Sequence, residues 1–82
     1  MEELKRRIKE LLEEKVRGKK YIIVKCSDVT QWYLEKYGKE SIKVYRIGGK
    51  PVSPEIERAL SELAREGVLE EPFACLYLYR GK

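Results

Sequence analysis

Cys26 and Cys75 are the residues of this 82-residue chain most open to metal or redox chemistry. Neither stands at a zinc-ligand spacing, and there is no histidine, so one subunit cannot supply four thiolate or imidazole ligands. A nucleophilic cysteine would also lack its imidazole base. The letters GGK at 48–50 are similar to part of a phosphate-binding loop. However, the earlier glycine and the Ser or Thr after the lysine are missing, and Pro51 follows instead. The carboxylates fall on patterned helix faces, where solubility accounts for them. We expect no catalysis, no cofactor and no metal.

Charge is the remaining chemistry. Eighteen Lys and Arg oppose fourteen Asp and Glu, a net +4, and the excess is uneven. Residues 1–26 carry +4 and residues 27–52 carry +2, whereas residues 53–82 carry −2. The basic surface therefore belongs to the first two thirds, where it suits phosphate contacts, an acidic partner or plain solubility. The bias toward charge, with no Asn or His and single Gln31 and Thr30, points to a hyperthermophilic, archaeal source. No apolar run nears the roughly 20 residues of a membrane span, and the charged N-terminus has no apolar signal core, so the expectation is a cytoplasmic protein without membrane contact.

The elements that must position these charges follow from spacing. Leu4, Ile8, Leu11, Leu12 and Val16 recur at helical spacing and predict a helix over 2–17, stopped by Gly18. The β-branched run YIIVKC predicts a strand over 21–26. Ser27 is placed to cap a second helix, 28–37, with Asp28 at its start, Val29, Trp32, Tyr33 and Tyr37 on one side and Gly38 as its stop. That aromatic stripe reads as core, with Trp32 at its edge. Residues 39–52 are ambiguous between a short strand and another helical turn, followed by a turn at GGKP. Ser53 and Pro54 open a third helix, 54–66, which buries Ile56, Ala59, Leu60 and Leu63 and ends at Gly67. Two strands follow, 67–71 and 73–79, joined by a tight turn at Pro72. In the last strand Phe73, Cys75, Tyr77 and Tyr79 are expected to share one face. This is one α+β domain, 1–82, with three helices and a small antiparallel sheet.

The order helix, strand, helix, helix, strand, strand resembles the winged-helix variant of helix-turn-helix domains. The stretches SDVTQWYLEKYG and VSPEIERALSELAREGVLEEPFACLYLYR carry the likeness, which covers nearly the whole chain. It implies that the third helix enters the DNA major groove and that the turn between the last strands, Glu70 to Phe73 here, touches the backbone. It also implies that the first strand pairs with the last, bringing Cys26 toward Cys75, either as a disulfide or as two free thiols. Two departures stand out: about fourteen residues separate the second and third helices, and the wing is short and acidic.

On the third helix, Arg58, Ser61 and Arg65 fall opposite the apolar stripe, with Ser53 at its head. Glu55, Glu57, Glu62 and Glu66 stand beside them, and pairs Arg58 with Glu62 and Glu62 with Arg65 are available four and three residues apart. Phosphate contacts are therefore expected from Lys39, Lys43, Arg46 and Lys50 in the long connection, from Arg17, Lys19 and Lys20 beside the first strand and from Arg80 and Lys82 at the tail, with limited base reading by Arg58, Ser61 and Arg65. The expected function is that of a small DNA-binding transcription regulator, open to homodimerisation through its first helix or the connection. Two alternatives remain open. One is a protein-interaction module in a replication, transcription or ribosome-associated assembly, docking through the acidic third helix. The other is association with structured RNA through the same basic residues.

Overall fold

The computed structural model describes residues 1–81, leaving Lys82 outside. Its elements are α1 (Glu2–Val16), β1 (Tyr21–Lys25), α2 (Cys26–Tyr37), β2 (Tyr45–Ile47), β3 (Lys50–Val52), α3 (Pro54–Arg65), β4 (Glu70–Phe73) and β5 (Leu76–Arg80). The α+β class and the order of the expected elements are as the sequence reading had them. β1, β5 and β4 form an antiparallel sheet in that order, with β5 in the centre. The pair β2 and β3 is a separate hairpin.

The core lies between the helices and the inner face of the sheet. Ile8, Leu11 and Leu12 of α1 meet Val29 and Tyr33 of α2, Ile56, Ala59, Leu60 and Leu63 of α3, and Val24 and Tyr77 of the sheet. Trp32 and Tyr37 sit half-buried at its rim. The three apolar stripes thus close on one another, which is what removes them from water.

Several local boundaries differ from expectation, each for a traceable reason. α2 starts at Cys26, not at Asp28 behind a Ser27 cap, because Asp28 works from inside the first turn. Its Oδ2 accepts the Lys25 backbone N–H at 3.0 Å, and the Thr30 hydroxyl donates to the Cys26 carbonyl at 2.8 Å. Of the two readings of residues 39–52 the structure has the short strand, β2, and the turn falls in GGKP as expected, with a further strand, β3, after it. Ile42 and Pro51 are buried, and Gly48 and Gly49, with φ of 59° and 79°, form the turn of the β2–β3 hairpin. Consecutive positive φ values are what a two-residue hairpin turn demands, and glycine supplies them without steric cost.

The end of α3 displaces the following strand. Gly67 (φ 87°) donates to the Ala64 carbonyl at 3.1 Å and Val68 to the Leu63 carbonyl at 2.9 Å, a Schellman ending that uses residues 67–69 and delays β4 until Glu70. The turn then falls at 74–75, not at Pro72. Pro72 lies instead in an irregular stretch of the outer strand β4, between the pairs Glu70 with Leu78 and Phe73 with Leu76, where its missing N–H costs no ladder bond. The two-residue turn pairs Phe73 with Leu76 and so puts both on the same, outer face. Tyr77 and Tyr79 face inward as expected, but Phe73 is 71% exposed and Cys75 is an exposed turn residue with φ 60°.

Candidate nucleic-acid interface

α3 presents Arg58, Ser61 and Arg65 to solvent, as its helical spacing requires. Ser53 is not with them. Its side chain is fully buried and its Oγ accepts the Ile56 N–H at 3.3 Å, so it is a helix cap with nothing left to offer a phosphate. The expected pairs of Arg58 and Arg65 with Glu62 are also absent. Glu62 and Glu66 instead turn to Lys5 of α1, whose Nζ lies 3.9 Å from Glu62 and 2.5 Å from Glu66, with Glu2 at 3.0 Å. Hydrogen bonds to Glu66, the largest cause, and to Glu2 hold the Lys5 pKa well above its ordinary value. Arg58 and Arg65 consequently have no ion-pair partner among the described residues.

Sequence reasoning missed Lys5, although the signal was available. At 100° per residue it falls between Leu12 and Val16 on the helical wheel, inside the apolar arc rather than on the charged face. A lysine there has to find carboxylates or leave the core, because burying an unpaired ammonium is prohibitive. It is 6% exposed.

The basic residues of the connection fall into two groups. Lys43 lies beside α3: its backbone N–H donates to Glu55 at 3.3 Å, and Glu55 lines a groove with Arg58, Ser41, Ile42 and Leu4. Arg46 and Lys39 line another recess, against Gln31 and Glu35 of α2. On the hairpin, Arg46 donates to the Gly49 carbonyl at 3.4 Å, the Lys43 ammonium stands 5.7 Å from the Tyr45 ring centre, and Lys50 pairs with Ile47 next to the turn. All four cations are exposed and free of carboxylate pairs among the described residues. Lys43 is therefore tied to the first turn of α3 through its backbone, while Lys39, Arg46 and Lys50 place positive charge along α2 and the hairpin. Arg80 belongs elsewhere: its Nε is 2.6 Å from Glu70 on the outer face of the sheet. The expected contact by Lys82 lies outside the described residues.

The aromatic residues of α2 are occupied. The Lys15 ammonium covers Trp32 at 5.0 Å and the Arg7 guanidinium covers Tyr37 at 4.6 Å, so neither ring is a free stacking platform. Among the described residues, no three His, Cys, Asp or Glu side chains converge as a metal site would require.

Of the two states left open for the cysteines, the structure has the free thiols. Residues 26 and 75 sit one step beyond the Lys25–Leu76 pair of the β1–β5 ladder, but Cys75 has left the strand for the turn. Cys26 is buried, and burial, followed by the neighbouring Cys75 thiol, pushes its pKa up to about 12. That makes it a poor thiolate nucleophile.

No helix among the described residues is long and apolar enough to cross a membrane. No protein-family model, curated protein or solved structure matches the chain.

Proposed function

We propose that the protein is a winged-helix DNA-binding module, most simply a transcription regulator, that lays α3 against duplex DNA and grips the phosphate backbone with the β2–β3 hairpin. The observation that carries this reading is the freedom of Arg58 and Arg65 from ion pairs, which goes with Glu62 and Glu66 turning toward Lys5 of α1. α3 together with its capping residue Glu66 carries a net −2 charge and would repel phosphate if its charges were spread evenly. Here two of its four carboxylates are held near a buried cation, and the exposed arginines keep their donors for base edges or phosphates. Lys43, Arg46 and Lys50 supply the sequence-independent contacts. The alternative of an acidic docking face draws on the same Glu62 and Glu66, which leaves it only Glu55 and Glu57 to present.

The test is a fluorescence-anisotropy titration with a random duplex of about 30 base pairs across a salt series. If Lys43, Arg46, Lys50, Arg58 and Arg65 each neutralise a phosphate, log K falls with log salt at a slope of about −4 to −5, and the double variant Lys43→Ala, Arg46→Ala reduces that slope by about 2. Absence of duplex binding at low salt would remove the proposal.

A further inference from the structure

The two faces of the three-stranded sheet have different fates. Ile22, Val24, Tyr77 and Tyr79 point toward the helices. On the other side the antiparallel register sets Tyr21 beside Arg80, Ile23 beside Leu78 and Glu70, and Lys25 beside Leu76 and Phe73. Among the described residues, no element covers this outer face. Its apolar residues are well exposed, with Tyr21 at 50%, Ile23 at 56% and Phe73 at 71%.

Its charge is one-sided. Lys25 and Arg80 belong to the face and Lys19 and Lys20 lead into β1, against the single outward carboxylate of Glu70, which Arg80 already engages. Lys19, Lys20 and Lys25 have no ion pair among the described residues. A second copy of the same face would bring these cations against each other with little acid to answer them. A polyanion with flat apolar faces meets both features at once. Tyr21 and Phe73 stand at opposite corners of the sheet, roughly 16 Å apart by strand rise and spacing, so the two rings take different bases rather than each other. Ile23, Leu76 and Leu78 lie between them as an apolar floor.

We propose that this outer face binds single-stranded nucleic acid, with bases stacked on Tyr21 and Phe73 and phosphates held by Lys19, Lys20 and Lys25. Stacking is tolerant of sequence, because every base has a π-face, and a flat sheet surface is a usual place for it. The site lies across the sheet from the helices and is independent of the duplex reading of α3.

The experiment is an anisotropy titration of a fluorescein-labelled oligo-dT of about ten nucleotides at low salt. The wild-type chain binds. The double variant Tyr21→Ala, Phe73→Ala binds about 100-fold more weakly, roughly tenfold per lost stack, with an unchanged melting curve because both rings are exposed. The variant Tyr21→Phe, Phe73→Tyr keeps the affinity, as does Arg58→Ala, Arg65→Ala, which separates this face from α3. The proposal is overturned if wild type does not bind the oligonucleotide, if the alanine pair binds as wild type does, if the α3 variant abolishes binding, or if sedimentation shows a dimer that the alanine pair dissolves.

Discussion

Lys5 stands where the α1 wheel calls for an apolar residue, and its ammonium reorganises the charge of a different helix. Replacing it with methionine keeps the volume in the core and releases Glu62 and Glu66 on the side of α3 that Arg58 and Arg65 share. The expected result for Lys5→Met is weaker duplex binding even though the changed residue lies on another helix, whereas Lys5→Arg preserves the partnership and the binding. Anisotropy on the two variants, after circular dichroism shows both folded, decides it. Equal binding by Lys5→Met and wild type would mean that the two glutamates do not influence the arginines. At this scale the sequence was readable for side chains whose surroundings are set by their own helix, such as Ile56, Leu60 and Arg58. It was opaque for Glu62, Glu66 and Phe73. Their positions depend on a partner about sixty residues away or on where a two-residue turn falls, and neither leaves a periodic trace.

Among the elements, the helices were legible because apolar spacing and end signals agree. Ser53 with Pro54 opens α3 and Gly67 closes it. The β2–β3 hairpin was not, because burial writes no alternation into it: β2 is exposed along its whole length, and only Pro51 of β3 is buried. The two glycines were the one available sign. They also make the hairpin testable. Gly48→Ala or Gly49→Ala leaves the space around each Cβ open yet forces an L side chain into the left-handed region, at roughly 1–2 kcal/mol per position. Urea denaturation of each variant should show a loss of that size. The same variants should lose duplex affinity, since the hairpin is what presents Arg46 and Lys50. The turn between β4 and β5 was misread for the opposite reason: Pro72 is an emphatic turn signal, and an outer strand with an irregular register absorbed it.

In the molecule as a whole, ion pairs stitch the helices together and set a dependence on pH. Glu14 of α1 meets Lys36 of α2, and this contact holds the Glu14 carboxyl below its ordinary pKa; Lys5 does the same to Glu2. A carboxylate whose pKa is lower in the folded chain stabilises it at pH above the unfolded value and loses that contribution as pH falls through the folded one. Melting temperature should therefore hold near neutrality and decline below about pH 4. Lys36→Met should flatten part of that decline, because the Glu14 shift depends on the lysine. A Lys36→Met melting curve as steep in acid as wild type would assign the loss to other groups.

The irregular outer strand also bears on how copies of the chain can meet. A sheet grows into a filament only if both of its edges accept a new strand. With Pro72 and the shifted register on β4, one edge has lost an N–H and its regular spacing, while the other, β1, keeps a free row of backbone groups. Within the three-stranded sheet, strand-by-strand joining is therefore favoured at β1 over β4. A pair joined there presents the two irregular β4 edges, which discourage further growth of this sheet.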